Sequence, residues 1–137
     1  MRRVSRQAPA NALFVVAAAE ALPAELDGTI SGVSIYLPWG SLLRGLVGPS
    51  PVVLRGIARL LRPGGAAIAL LSIAERDGGE PLGPRSIDRA AYVAGGLEVV
   101  DWRPAMPEEV AAADSSWAKR LQASSRRSVW ILVTERR

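Results

Sequence analysis

Short unbroken apolar runs alternate with stretches in which apolar positions recur every three or four residues. NALFVVAAAE (residues 11–20) and VSIYLPWG (33–40) are continuous runs of strand length, the second stopped by Pro38. Between them ALPAELDGTIS (21–31) is a polar crossover, and SLLRGLVGPS (41–50) reads as a loop or a helical turn. SPVVLRGIARLLRPGG (50–65) is the clearest helix. Ser50 is placed to cap it, Pro51 suits a first position whose N–H has no partner, and Pro63-Gly64-Gly65 stops it. Val53, Leu54, Ile57, Leu60 and Leu61 fall on one face, and Arg55, Arg59 and Arg62 on the wet one.

The second half repeats the alternation. AAIALLSI (66–73) is a third buried strand, ERDGGEPLGPR (75–85) a Gly/Pro loop, and SIDRAAYVAGG (86–96) a short helix with Ser86 as candidate cap. LEVVDWRPA (97–105) alternates apolar and polar, PEEVAAADSSWAKRLQA (107–123) is mostly helical, and RSVWILVTER (127–136) is a final strand. The order β, β, α, β, α, β, α, β predicts an α/β fold with a mainly parallel sheet and an antiparallel C-terminal hairpin. Trp102 and Trp130 lie in alternating strands and read as core or sheet-face residues.

Composition narrows the chemistry. The chain has 137 residues, enough for a single domain, and 49% are apolar, which argues for a packed core. It has no Cys and no His. That removes disulfides, thiolate metal sites and imidazole bases, so neither a metal centre nor a Ser-His-Asp triad is expected. The net charge is +4, and Lys119 is the only lysine. Arginine, with its planar fork of donors, suits phosphate, so the balance mildly favours an anionic partner. No run reaches the roughly 18 to 20 apolar residues of a membrane span. The start, MRRVSRQAPANALFVVAAAEALP, imitates a signal peptide, but it carries Glu20 and flows into α/β pattern. A cytoplasmic protein is expected.

LLRPGG ahead of a buried strand is similar to a turn found across class I, Rossmann-like, S-adenosylmethionine-dependent methyltransferases. FVVAAAEALPAEL, then LPWGSLLRG, then SSWAKRL, resembles one branch of them more closely: the aminoglycoside-resistance 16S rRNA (adenine-1408-N1) methyltransferases. The three segments stand in the right order, and the resemblance runs from about Asn11 onward. It implies that Trp39 and Trp117 hold the target adenine and that Lys119, Arg120, Arg126 and Arg127 contact rRNA within the 30S subunit. It also implies that Ala18, Ala19 and Glu20 line the pocket for S-adenosylmethionine, with Leu37 and Pro38 beside it.

Each residue has a plainer reading on position alone. Trp39 is as easily a plug for the end of the sheet, and Trp117 an amphipathic anchor on its helix. The basic cluster is a solvated face, and Glu20 a turn residue.

One departure stands out. A class I methyltransferase opens with a strand, a Gly-rich loop and an acidic residue that binds the cofactor ribose. Nothing of that pattern precedes NALFVV. The expectation is therefore a single incomplete domain over residues 1–137 that lacks strands one and two of the family sheet. The alternative is an inactive remnant or RNA-binding fragment.

Overall fold

The structure, a computed structural model, describes residues 10–73, 80–113 and 128–137. Two 3-10 turns, Ala19–Ala21 and Ala24–Leu26, lead into strand β1 (Ile30–Tyr36). Helices α1 (Gly40–Val47) and α2 (Pro51–Leu60) carry the chain to β2 (Leu61–Leu71). Then come α3 (Arg89–Ala94), β3 (Leu97–Pro104), α4 (Pro107–Ala112) and β4 (Trp130–Arg136). The four strands form one sheet in the order β1-β2-β4-β3.

Strand β1 runs parallel to β2, whereas β4 is antiparallel to both β2 and β3. The antiparallel C-terminal pair is as expected, but the sheet as a whole is mixed rather than mainly parallel. The reason lies in NALFVVAAAE. Residues 11–20 form no ladder strand, only an isolated bridge at Val15, so no second parallel pair forms beside β1. Leu13, Phe14 and Val16 are 59%, 47% and 63% exposed, the reverse of the buried strand expected there.

Elsewhere the apolar pattern places the elements well. SLLRGLV resolves its ambiguity as a helix that buries Leu43 and Leu46. Helix α2 buries Val53, Leu54 and Ile57, as its periodicity predicts, although Ser50 makes no side-chain cap bond. Asp88, not Ser86, caps α3, accepting from the Ala91 N–H at 3.1 Å. The Ser86 hydroxyl instead accepts from the Gly83 N–H and closes the preceding loop.

The two sheet faces are covered unequally. Ala67, Ala69 and Leu71 of β2, Leu132 of β4, and Leu97 and Val99 of β3 pack with Leu43, Leu46, Leu54, Ile57 and Tyr92 from α1, α2 and α3. The opposite face carries a smaller cluster of Leu37, Leu70, Val110 and Ile131, with Val133 packed against it. Ile68 and Tyr36, set on that face by their register, remain 40% and 42% exposed.

Trp102 and Trp130 stack with ring centroids 4.8 Å apart, and the Trp102 indole N–H donates to the Gly83 carbonyl at 2.9 Å. Both are sheet-face residues, in agreement with the alternating pattern. Tyr92 ties α3 to α1, its hydroxyl donating to the Leu46 carbonyl at 2.6 Å inside the core. Burial pushes that phenol far up from its ordinary pKa, so it stays a donor. Tyr92→Phe deletes this donor and leaves the carbonyl dry; a loss of about 1 to 3 kcal/mol is expected in urea denaturation.

Candidate active site

Strand direction decides which residues meet. Because β1 and β2 are parallel, their carboxyl ends lie at the same edge, with Tyr36 opposite Leu70. Trp130, the first residue of β4, pairs with Leu71 on one side and with Pro104, the last residue of β3, on the other. The exits of β1, β2 and β3 and the entrance to β4 therefore share one edge. In open α/β sheets this carboxyl edge is where ligands bind.

LPWG turns out of the sheet at that edge. Leu37 takes φ +50°, a left-handed conformation that a leucine rarely adopts, while its N–H donates to the Leu70 carbonyl at 2.8 Å. Such a backbone costs about 1 to 2 kcal/mol. Burying the leucine side chain among Leu70, Val110 and Ile131 returns about 1.5 to 3 kcal/mol, so the corner holds. Trp39 follows in extended backbone and Gly40, at φ +65°, starts α1.

The result is an indole left 77% exposed. A plug would be covered, and keeping this much of a tryptophan in water forgoes roughly 3 to 4 kcal/mol of burial. The plug reading of Trp39 therefore loses its ground. Leu37, Pro38 and Trp39 stand together on this corner, with the Leu37 side chain turned into the protein and Pro38 half-buried.

Ala18, Ala19 and Glu20 occupy a different setting. Ala19 packs on α2, and Gly56 makes the approach possible: a Cβ there would stand 2.2 Å from the Ala19 carbonyl oxygen. Ala18 and Glu20 are exposed. Trp117, Lys119, Arg120, Arg126 and Arg127 lie outside the described residues. Ala113 and Val129, described residues close to either end of 114–127, both pack against the Leu37 cluster. The Ala105 N–H donates to the Val129 carbonyl at 2.8 Å and ties the end of β3 to the approach to β4.

Two features escaped sequence reasoning. The first is an ion-pair group at the foot of α4. Arg103 donates in a bidentate pair to Glu109, at 2.7 and 2.8 Å, and to Asp101 at 3.0 Å. Glu109 also accepts from the Met106 N–H at 2.9 Å, satisfying an orphan donor of the first turn. Its signal was present, a glutamate three residues after the residue before Pro107, but without the usual Ser or Thr at the cap. The Arg103 hydrogen bonds, helped by the Met106 N–H, bring the Glu109 carboxyl down to about 2.

The second is Ser72, one residue beyond β2. Its hydroxyl is the one buried side-chain polar atom without a hydrogen-bond partner among the described residues. An unpaired buried hydroxyl just past the end of β2, at the edge that carries the Leu37 corner, suits a polar ligand. No group of three or more His, Cys, Asp or Glu stands ready for a metal among the described residues, and no helix there is long and apolar enough to cross a membrane.

Comparison with known proteins places this edge in context. The fold is that of rRNA methyltransferases: the crystal structure of the 16S rRNA methyltransferase KamB matches 91% of this chain and 63% of its own, at 36% identity and TM-score 0.76. A second structure, the 16S rRNA (adenine(1408)-N(1))-methyltransferase W203A mutant with cosubstrate SAM from Catenulisporales acidiphilia, matches 88% of this chain and 59% of its own, at 26% identity and TM-score 0.74.

Among curated proteins, the 16S rRNA (adenine(1408)-N(1))-methyltransferase of Streptoalloteichus hindustanus is 37% identical over 142 residues, 90% of this chain. The profile of the NpmA family, 16S rRNA (adenine(1408)-N(1))-methyltransferase, matches residues 1–136, and the chain belongs to that family. It spans 65% of the Streptoalloteichus hindustanus protein's length.

The Arg103–Glu109 pair yields a pH test. A carboxyl lowered from 4.5 to about 2 stabilises the fold above pH 4.5, and that stabilisation is lost as pH falls toward 2. Wild type is expected to exceed Glu109→Gln in thermal stability at neutral pH, with the gap closing across that acid window. Added salt should narrow it as well, because the pair is partly exposed. A gap independent of pH would remove the ion pair as its cause.

Proposed function

We propose that this chain is the RNA- and base-handling portion of an S-adenosylmethionine-dependent enzyme that methylates N1 of adenine 1408 in 16S rRNA within the 30S subunit, and so confers aminoglycoside resistance. The observation that carries the reading is the exposed Trp39, held at the carboxyl edge by a strained, buried Leu37. Family membership supports it. The setting implied is the bacterial cytoplasm.

The chemistry suits a chain without imidazole. S-adenosylmethionine supplies an electrophilic methyl group when bound. Adenine N1 is unprotonated near neutral pH and presents an in-plane lone pair, so no general base is asked of the protein. What the protein must supply is position: a base taken out of its stack and held still. In this reading the Trp39 face holds one side of the adenine and Trp117 the other, and both faces suit the cationic product. Lys119, Arg120, Arg126 and Arg127 contact phosphates and read the shape of folded RNA. Ala18, Ala19 and Glu20, with Leu37 and Pro38, line the cofactor pocket, and the unpaired Ser72 hydroxyl adds a group able to bond there.

We infer further that the family sheet continues beyond β1 with the strands that carry the Gly-rich loop. Strand β1 is an edge of the described sheet, and the apolar Leu13, Phe14 and Val16, which precede it in the chain, are exposed. Unpaired edges and bare apolar surface are states that a complete domain covers.

Two measurements test these readings. In the complete protein, Trp39→Ala should lower methyl transfer to assembled 30S subunits about 10- to 100-fold, from a stacking contribution of about 1 to 3 kcal/mol. Because Trp39 is exposed, the melting temperature should hold. Full activity would end the stacking role. Isothermal titration of S-adenosylmethionine into residues 1–137 addresses the sheet. Absence of micromolar binding is expected, and micromolar binding by this chain alone would refute the need for further strands.

A further inference from the structure

The small cluster behind Trp39 draws on more of the chain than a corner needs. Leu37 comes from the exit of β1, Leu70 from β2, Val110 from α4 and Ile131 from β4. Half-buried Ala105, Ala113 and Val129 pack around it. Ala113 adjoins residues 114–127 on one side, and Val129 follows Ser128 on the other. The support of Trp39 and the support of α4 are thus the same few side chains.

Neither support is self-sufficient. Helix α4 spans six residues, too short to persist on its own propensity, and Val110 is its buried residue. The Leu37 backbone is left-handed and persists only while its surroundings over-determine it. Val110 is part of those surroundings. Remove side-chain volume from α4, and Leu37 loses a wall of the site that offsets its strain. Remove Leu37, and α4 loses part of its seat.

We propose that Leu37, Leu70, Val110 and Ile131 form a positioning device that couples the presentation of Trp39 to the seating of helix α4. Val110 is then a positioning residue for the reaction. It acts on Trp39 through Leu37, while the other end of its helix leads into the segment that bears Trp117. The functional meaning rests on the stacking role proposed for Trp39; the coupling itself does not. A shared support of this kind would set the corner and the helix together, so that a base meets both in register or neither.

The test is 19F NMR of the chain labelled with 5-fluorotryptophan. There are four tryptophans, and Trp39→Phe assigns the signal of interest. Val110→Ala, on another element, is expected to move the Trp39 signal by more than its linewidth, and Val110→Ile to bring it back toward wild type. Val99→Ala makes the same truncation in the helix-side core and should leave the Trp39 signal in place. An unmoved Trp39 signal in Val110→Ala, or an equal movement in Val99→Ala, overturns the proposal. If Val110→Ala does not fold, Ile131→Val removes one methylene from the same cluster and carries the same two outcomes. Loss of the catalytic reading is seen separately: Trp39→Ala with full methyl transfer would remove the stacking role and leave the NMR coupling untouched.

Discussion

Strand β2 is paired on both sides, to β1 in parallel and to β4 in antiparallel register. That double pairing decides where everything else can be. The parallel partner brings the LPWG corner to the exit of β2. The antiparallel partner brings the entrance of β4 to the same level, and with it the end of β3. A one-residue slip of β2 would turn Ala67, Ala69 and Leu71 away from the helices and expose the core. Burial of the helix-side face therefore fixes the register, and the register fixes which chain exits share an edge.

At that edge the local energetics run against the usual preference. Tryptophan is left in water and leucine is given a left-handed backbone, while the leucine side chain is buried. Each is unfavourable or neutral for Trp39 itself. Together they leave an aromatic face outward on a corner whose leucine is anchored in the protein. The unpaired Ser72 hydroxyl, one residue past β2, is a second point at which stability is given up at this edge. The Arg103–Glu109 pair differs in kind. It satisfies its own donors, draws the Glu109 carboxyl down and fastens the start of α4, which is structural work at the same edge.

Much of this was legible in the residues. The period of Val53, Leu54 and Ile57 gave α2 its buried face, and the alternation around Trp102 gave β3. LPWG and WAKRL together pointed to the family. What could not be read was context. NALFVV is as apolar as a buried strand, but a strand needs a neighbour, and pattern alone does not reveal whether one is present; Leu13, Phe14 and Val16 are exposed. The left-handed Leu37 has no sequence signal, because leucine avoids that region unless its surroundings impose it. Helix α4 stands over Pro107–Ala112 as its pattern predicts, and residues 114–123 of the expected helix lie outside the described residues. Ser86 and Asp88 both stood in cap-forming positions, and only geometry could choose Asp88.

The uneven covering of the sheet joins these threads. One face is sealed by α1, α2 and α3, while the other is held at its carboxyl end by the Leu37 cluster and leaves Ile68 and Tyr36 partly bare. Stability and site are thereby separated in space. The large cluster holds the strands in register, whereas the small one holds the corner and α4. Substitutions in the large cluster should act on the whole fold, because every strand borders it. Substitutions in the small one should act first on the edge, because Leu37 and Val110 belong to the elements that rise from it. A domain divided in this way can alter the corner and α4 without loosening the sheet that carries them.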